Sequence, residues 1–351
     1  MQLSFVDIAN FRSINKGTIS PDQSNLIIGP NGSGKTSTLE ALYFLIKLRS
    51  FVTRKKNALI GFEKKESTVF ASINNNNTPC KAGVMFTSKG TISKINGRTS
   101  SLKEHIGLLP MVAIEPNTQK LITTSPATKR KFLDWWVFHV EQEYLTSYIE
   151  YKTCLTNRNI LLKKGANTEP WDIQISLQSN KITSFRKALI DEINKTFVLL
   201  TEKYLNEPLY IQLSPGWPKE ISIQEALKAS YLIDKKRGFT QNGAHRADFE
   251  IFDSNNRQVR DYLSRGQQKV VASIFYISLY KALSKKINNS GIILFDDPLA
   301  ELSDESLKFL LAELGQLEVQ LFVTSLRESN LFELIEPKVF HVKQGLIKEA
   351  I

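Results

Sequence analysis

Cysteine, which crosslinks or binds metal in many chains, is scarce in this sequence. Cys80 and Cys154 are the only two cysteines in 351 residues, and they form no Cys-x-x-Cys pair. A disulfide framework is therefore excluded, and so is a zinc hook built from paired cysteines.

Long apolar runs are also missing. No unbroken apolar stretch reaches the length that spans a bilayer, and the N-terminal residues do not follow a signal-peptide pattern. Residues 1–8 alternate between apolar and polar side chains instead, as a β-strand does. We therefore expect a cytoplasmic protein without a membrane partner.

Acidic residues are scarce in the first third of the chain. Residues 1–120 hold 16 lysines and arginines against 7 acidic residues, whereas residues 236–351 hold 15 of each. We call residues 47–65 the basic segment. Its one acidic residue is Glu63, and its cations are Lys47, Arg49, Arg54, Lys55, Lys56, Lys64 and Lys65. Such a segment suits a polyanion, most simply a nucleic-acid backbone, although a solvated basic face without a partner would look the same.

The strongest motif is the stretch GPNGSGKT, which matches the pattern G-x-x-x-x-G-K-[ST] of a phosphate-binding loop. An apolar run that predicts a buried strand precedes it, and a run with helical spacing follows. We expect these residues to bind nucleotide: Gly29, Pro30, Asn31, Gly32, Ser33, Gly34, Lys35 and Thr36. The Lys35 ammonium would reach the β- and γ-phosphates of ATP, and the Thr36 hydroxyl would bind Mg²⁺.

A second apolar strand, residues 292–295, ends in two carboxylates. Asp296 is placed to bind Mg²⁺, and Asp297 is placed to orient or deprotonate an attacking water. We therefore expect Lys35, Asp296 and Asp297 to be catalytic, with Thr36 and Asp296 as the metal ligands.

The stretch LSRGQQK, residues 263–269, precedes a predicted helix and resembles the signature of ABC-type ATPases. Its residues also fit a simple helix cap, since Ser264 is followed three positions later by Gln267. The resemblance implies that Ser264, Gly266 and Gln267 face the γ-phosphate bound to a second subunit, so that two chains enclose two nucleotides. It also implies an interface loop at residues 300–304. Where many ABC proteins carry a γ-phosphate-sensing histidine, this chain has Thr324 and Ser325, so we expect slow hydrolysis.

The coarse pattern predicts three parts. Residues 1–122 and 209–351 form the two lobes of an α/β head, and residues 123–208 form an arm of two long antiparallel helices. Within the first lobe, residues 67–114 alternate with turn signals, which predicts an antiparallel sheet of short strands.

Several stretches resemble the RecF family of bacterial recombination mediators. Residues 125–135 resemble its SP-x-x-RR-x-FLD segment, residues 243–248 its GPHR-x-D, and residues 296–302 part of its DD-x-x-SELD. The chain departs from the family pattern at Ala244, Ala300 and Ser303, and the last of these removes a carboxylate from the interface loop.

This resemblance implies an ABC/SMC-like P-loop ATPase head with an inserted antiparallel helical arm. It implies ATP and Mg²⁺ as cofactors, DNA as a ligand, a homodimer on ATP binding, and RecR and RecO as partners in loading RecA onto coated single strands. Cations at the start of the arm, Lys129, Arg130 and Lys131, could line a DNA surface, or they could belong to a solvated face. His245 and Arg246 fit a local hydrogen-bonding role as well as a phosphate contact.

Three other functions share some of these motifs. The nucleotide-binding subunit of an ABC transporter has the same ATPase motifs, but the basic first third, the helical arm and the segments at 132–136 and 243–248 argue against it. A long-armed chromosome-organising protein needs a longer arm and a zinc hook. A nuclease needs a separate acidic metal cluster, which the sequence does not provide.

Overall fold

The protein is described by a computed structural model over residues 2–53, 55–75, 78–287 and 290–350. Elements are numbered in chain order. The strands are β1 Gln2–Phe11, β2 Ile14–Ile19, β3 Ser24–Ile28, β4 Glu66–Asn75, β5 Thr78–Thr87, β6 Gly90–Ile95, β7 Arg98–Thr99, β8 Met111–Ile114, β9 Tyr210–Ser214, β10 Asp248–Phe252, β11 Gly291–Phe295, β12 Val319–Ser325, β13 Lys338–Lys343 and β14 Leu346–Glu349.

The helices range from single turns to a 37-residue rod. They are α1 Lys35–Lys47, α2 Leu102–Leu108, α3 Lys120–Thr123, α4 Pro126–Val140, α5 Tyr144–Lys164, α6 Glu169–Leu205, α7 Ile223–Arg237, α8 Val259–Tyr262, α9 Arg265–Ile287, α10 Pro298–Glu301 and α11 Asp304–Gly315. Short 3-10 helices cover Lys56–Leu59, Ala244–Arg246 and Asn330–Ile335.

The chain forms two compact units, residues 1–118 with 265–351 and residues 119–264. The second unit starts near the predicted start of the arm and extends past the predicted boundary at residue 208. The division of the chain into two lobes, residues 1–122 and 209–351, and an arm, residues 123–208, remains a prediction.

One large sheet organises the first unit. Within the described residues it has twelve strands in the order β7-β6-β5-β4-β1-β2-β14-β13-β3-β12-β11-β8. Strands β13, β3, β12, β11 and β8 pair in parallel, so their carboxyl ends meet at one edge. Continuous burial of β11 and β12 fits this parallel core, because helices or loops cover both faces of such strands.

The antiparallel part of the sheet agrees with prediction only up to residue 99. Strands β4 to β7 pair antiparallel in sequence, as expected. For residues 102–114 the prediction was wrong, because α2 intervenes and β8 pairs in parallel with β11. The reason is local: Ser101 and Glu104 form a reciprocal capping box that starts a helix, and β8 is a short apolar run that suits a buried parallel strand.

The second unit is mostly helical. Helices α5 and α6 are joined by a short turn at residues 165–168 and pack on each other, which makes them an antiparallel pair as predicted. The prediction of a single long helix before that turn was wrong, because α4 ends at Val140 and α5 starts at Tyr144. Gly165 ends α5 in the left-handed conformation, with φ of 68°. Helix α6 is continuous through residue 205, and strands β9 and β10 form a separate antiparallel pair. No helix among residues 2–53, 55–75, 78–287 and 290–350 is long and apolar enough to cross a membrane.

Candidate nucleotide site

The phosphate-binding loop lies between β3 and α1, in the strand–loop–helix context that its motif requires. Gly29 follows the buried end of β3, and a Cβ there would lie 2.3 Å from the Val342 carbonyl oxygen. Gly34 precedes α1 with φ of 119°, in a region that side chains rarely adopt. The two glycines therefore let the loop turn tightly into the N-terminus of α1, where the helix dipole favours an anion.

Lys35 is held inside this loop. Its Nζ donates hydrogen bonds to the carbonyl oxygens of Gly29, at 2.7 Å, and Pro30, at 3.2 Å. The residue is 7% exposed, so the loop encloses the positive charge of the ammonium instead of leaving it in solvent. The arrangement can take up a phosphate, because an ammonium exchanges carbonyl acceptors for phosphate oxygens with a gain in charge complementarity.

Strand register brings the carboxylate pair to the same edge. Phe295 pairs with Val323, and Ile28 pairs with Ser325. The next residue after β11 is Asp296, which is buried and accepts hydrogen bonds from the Thr36 hydroxyl, at 3.0 Å to each oxygen. The structure therefore joins the two sequence-predicted metal ligands directly, although they lie 260 positions apart.

Thr324 belongs to the candidate site by its contacts, and the sequence did not predict it there. Its buried hydroxyl donates to Asp296 Oδ1 at 2.7 Å and accepts from the backbone N–H of Asp297 at 2.8 Å. In the sequence, this position is one where many ABC proteins carry a histidine that this chain lacks. Its one usable signal was a hydroxyl at the end of a buried strand.

Both carboxyl groups have raised pKa values, chiefly because burial disfavours their charged forms. For Asp296, the hydrogen bonds from Thr324 and Thr36 and the nearby Lys35 charge oppose that shift. For Asp297, Lys35 opposes it, whereas the charges of Asp296 and Glu301 add to it. The pair is therefore costly to keep ionised until a cation arrives.

Asp297 is also conformationally unusual. It adopts φ of 46° and ψ of 50°, the left-handed region, directly before α10. Its Oδ1 is buried and accepts no hydrogen bond within the part of the chain that the structure describes. A buried carboxylate oxygen without a donor suits a group that awaits a water or a metal-bound ligand.

These residues fit a magnesium ion. Mg²⁺ takes few protein oxygens beside phosphate and water oxygens, and a hydroxyl and a carboxylate oxygen already meet here. Among the described residues no group of three or more His, Cys, Asp or Glu side chains could hold a metal. The donor set thus matches a metal that binds together with a phosphate, not an all-protein cage.

The signature stretch has a different setting. Ser264, Gly266 and Gln267 are exposed at the start of the 23-residue helix α9, and a Cβ at Gly266 would meet open space. An exposed helix N-terminus can accept an anion from another molecule.

The predicted interface loop, residues 300–304, overlaps the end of α10, and its Glu301 forms an ion pair with Lys269 of α9. Ser303, which departs from the family pattern, caps α11 by accepting a hydrogen bond from the Ser306 N–H at 3.3 Å. The serine therefore has a structural use that the family aspartate could also serve.

An ion pair beside the phosphate loop was also missed. Glu40 of α1 is fully buried and pairs with Arg12, whose Nη2 donates to Glu40 Oε1 at 2.8 Å. Arg12 lies in the turn between β1 and β2, and the neighbouring Ser13 hydroxyl lies 3.3 Å from that of Ser37. This turn therefore touches the first turns of the nucleotide helix.

The basic segment is only partly available to a polyanion. Lys47 is 1% exposed, and burial followed by repulsion from Arg49 lowers its pKa to about 7, so the prediction was wrong to count it in a basic surface. Arg49 donates to the Tyr43 hydroxyl at 3.1 Å. Lys55, Lys64 and Lys65 are exposed. Arg54 lies outside the described residues, and the side chain of Lys56 is not described.

Cations in the second unit hold the segment that resembles GPHR-x-D. Two arginines donate to its backbone carbonyl oxygens, with Arg130 Nη1 at 2.7 Å from Ala247 O and Arg186 Nη1 at 2.7 Å from Ala244 O. Lys129 Nζ lies 3.0 Å from the carbonyl oxygen of Phe249, the residue just after the segment. Lys129 is buried and also pairs with Glu250 at 2.8 Å, so its suggested place on a DNA surface was wrong. Lys131 and Arg246 are exposed.

His245 has both ring nitrogens in hydrogen bonds. Nδ1 lies 2.6 Å from the Tyr151 hydroxyl and Nε2 lies 3.1 Å from the Thr240 carbonyl oxygen. Burial, reinforced by the charges of three arginines and opposed by the Thr240 hydrogen bond, lowers its pKa to about 4. A neutral ring that donates a hydrogen bond from Nε2 and accepts one at Nδ1 satisfies both contacts. Of the two roles predicted for His245, these contacts fit local hydrogen bonding.

Comparison with known proteins places these features in context. Residues 2–348 match the sequence family described as RecF/RecN/SMC N terminal domain. The DNA replication and repair protein RecF of Shewanella denitrificans is 32% identical over 357 residues, covering 99% of each chain.

Solved structures agree with the sequence matches. A structure of the recombination mediator RecF with ATP in the RecFOR pathway superposes with a TM-score of 0.85 and 26% identity, covering 99% of both chains. An SMC head bound to the C-terminal winged-helix domain of ScpA has a TM-score of 0.63 at 16% identity, covering 100% of this chain and 97% of that one, which shows a shared fold. These matches do not favour a transporter subunit.

Proposed function

Because the chain belongs to the RecF family, we propose that it is an ATP-dependent DNA-binding protein of recombinational repair and replication restart, acting in the cytoplasm. The observation that carries the ATP-dependent part is the cluster in which Thr36 and Thr324 both donate to the buried Asp296, beside a phosphate loop. Its similarity to a DNA replication and repair protein RecF and to a RecF structure with ATP supports the rest.

Each residue of the site has a distinct task in this proposal. Lys35 binds the β- and γ-phosphates, and Thr36 and Asp296 hold Mg²⁺. When bound, Mg²⁺ would supply positive charge that neutralises the phosphates. Thr324 orients Asp296 and fixes the backbone of Asp297. The free Oδ1 of Asp297 orients or deprotonates the attacking water, and its raised pKa makes the carboxylate a better base than an ordinary aspartate.

A second copy completes the site in trans. Ser264, Gly266 and Gln267 are exposed at the start of α9, which supports a role for that helix N-terminus against a γ-phosphate held by the partner copy. ATP would then join two heads, and each site would remain incomplete in a monomer. Hydrolysis is slow and works as a switch, because no histidine stands at positions 324 and 325.

DNA is the proposed ligand of the closed dimer. The net charge of the first 120 residues supports this, as do the exposed lysines of the basic segment. By membership of the family, RecR and RecO are the proposed protein partners, with which the protein helps to load RecA at gaps covered by single-strand-binding protein.

The decisive experiment measures mass by light scattering, with and without Mg²⁺-ATP and a gapped duplex. We expect a monomer without nucleotide and a dimer with ATP, with DNA binding that weakens steeply as salt rises. A protein that stays monomeric at saturating ATP and DNA, yet hydrolyses ATP at an undiminished rate, would contradict the trans site. A matched Lys35→Ala variant should remain monomeric under every condition.

A further inference from the structure

Phe62 is the most exposed large apolar side chain that the structure describes, at 88% of its full area. It lies in a turn between the 3-10 helix Lys56–Leu59 and strand β4. Such exposure forgoes the stabilisation that burial of an aromatic ring provides, although a single exposed apolar residue is not by itself a binding site. Whether Phe62 can belong to a binding site depends on how its backbone is held and on which residues surround it.

The backbone of this turn is anchored. The Gly61 N–H donates to the Asn10 carbonyl oxygen at 2.7 Å, and the Lys64 N–H donates to the Gly61 carbonyl oxygen at 3.0 Å. Just beyond the turn, the Ser67 hydroxyl donates to the Ala9 carbonyl oxygen at 3.2 Å. The turn therefore presents Phe62 from a fixed backbone, so binding through the ring would cost little loop ordering.

The surroundings are basic. Gly61 and Lys64, on either side of Phe62 and Glu63, line a cleft of about 590 Å³. Lys65 and Lys89 line it as well, and Glu66 is the one acidic residue in its lining. All three lysines are exposed. The cleft thus offers three cations and an adjacent aromatic face.

We propose that Phe62 and this cleft bind the unpaired nucleotides next to a duplex end, with the lysines on the phosphates and the Phe62 ring stacked on a base. This rests on the proposed DNA-binding function and specifies the form of DNA that it recognises.

The choice of occupant follows from the chemistry. Bases inside a duplex have both faces covered, whereas an unpaired base offers a free face for stacking. A protein partner fits less well, because lysine is depleted in the cores of protein interfaces and the residues that follow Phe62 are charged.

The test uses the full-length protein with Mg²⁺-ATP and two DNAs of equal length, one gapped and one fully paired. Phe62→Ala should weaken binding to the gapped DNA by about 5- to 150-fold, the usual effect of losing one stacked base, and leave binding to the paired DNA unchanged. Phe62→Trp should retain the preference for the gap. Leu334→Ala, which removes a 45% exposed apolar side chain from another element, is the matched control and should change neither affinity.

Two further measurements locate the binding surface. Ultraviolet irradiation with 5-iododeoxyuridine at the first unpaired position should crosslink the base to the peptide that contains Phe62. Changing Lys64, Lys65 and Lys89 together to Gln should lower the slope of log affinity against log salt by about 2 to 3 units, near one unit for each phosphate that a lysine no longer neutralises.

The outcomes separate the two proposals. If the native protein binds DNA with ATP but Phe62→Ala keeps the preference for the gap, the inference is wrong and the proposed function stands. If Phe62→Ala instead abolishes dimerisation without DNA, or binding of a protein partner, the surface is a protein interface and the inference is also wrong. If the native protein binds neither DNA, both proposals fail.

Discussion

Replacing Thr324 with Val removes a hydroxyl from the centre of the proposed site while keeping the shape of the side chain. Two hydrogen bonds disappear, the donation to Asp296 at 2.7 Å and the acceptance from the Asp297 N–H at 2.8 Å. A hydrogen bond to a charged group contributes about 1.5–3 kcal/mol, and a buried N–H left without a partner costs about 1–3 kcal/mol. Asp296 keeps its hydrogen bond from Thr36, and the effects of losing two neighbouring hydrogen bonds do not add fully. We therefore expect the free energy of unfolding to fall by about 2–4 kcal/mol.

The same change should weaken metal binding. The Thr324 hydrogen bond helps to hold the pKa of Asp296 down, so its loss raises that pKa further and makes the carboxylate a poorer ligand. The loss of a residue that orients a metal ligand typically lowers metal affinity about 10- to 100-fold. We therefore expect ATP hydrolysis by the Thr324→Val variant to need a correspondingly higher Mg²⁺ concentration for half-maximal rate.

Urea unfolding and a Mg²⁺ titration of the ATPase check these two effects. Thr324→Ser is the control, because it keeps the hydroxyl and loses one methyl group, which is worth about 0.8 kcal/mol. Serine should restore the Mg²⁺ dependence almost completely. A Thr324→Val protein with the native urea midpoint and the native Mg²⁺ requirement would refute the role we assign to this hydroxyl.

Three further predictions come from the geometry of the site and from the half-buried His245. Asp297→Asn should keep ATP binding and trap the dimer. It should also raise the melting temperature of the nucleotide-free protein, since it removes a partly buried charge beside Asp296. Full hydrolysis by this variant, measured as phosphate release, would exclude Asp297 as the base. Ser264→Arg should leave nucleotide binding by the monomer intact and abolish ATP-driven dimerisation. A mixture of this variant with Lys35→Ala should regain one composite site and part of the activity. A mixture no more active than either variant alone would argue against the trans arrangement. The pKa of His245 is near 6.5 in the unfolded chain and about 4 in the folded protein, so the unfolded state binds more protons between these values. The free energy of unfolding should therefore fall as pH falls from 6.5 to 4, by up to about 3 kcal/mol. Urea midpoints measured across this range should lose that pH dependence in His245→Gln.

Local sequence was enough for the parts of the site that neighbours along the chain create. The phosphate loop needs its glycines, its lysine and its flanking strand and helix in one continuous stretch, and Gly29 to Thr36 supply all of these. The acidic pair was predictable for the same reason, since a buried apolar strand that ends in two carboxylates is a local pattern. The antiparallel pair α5 and α6 followed from helical spacing on both sides of a short turn.

Residues that act through distant partners could not be found in this way. Thr324 reaches Asp296 because β12 and β11 are parallel neighbours, a pairing that joins positions 28 apart, and Arg12 meets Glu40 because a turn between two strands lies on the nucleotide helix. Neither contact has a signature in the order of residues. The parallel placement of β8 was missed because its partner β11 lies far along the chain, with Met111 paired to Ile292.

Burial likewise belonged to the tertiary structure. Lys47 and Lys129 read as surface cations in the sequence, since most lysines are exposed. The fold instead encloses Lys47 at the end of α1 and pairs Lys129 with Glu250 and a backbone carbonyl. The charge of a lysine is given by its residue type and can be read from the sequence. Whether solvent or a ligand can reach that charge depends on which elements pack around it.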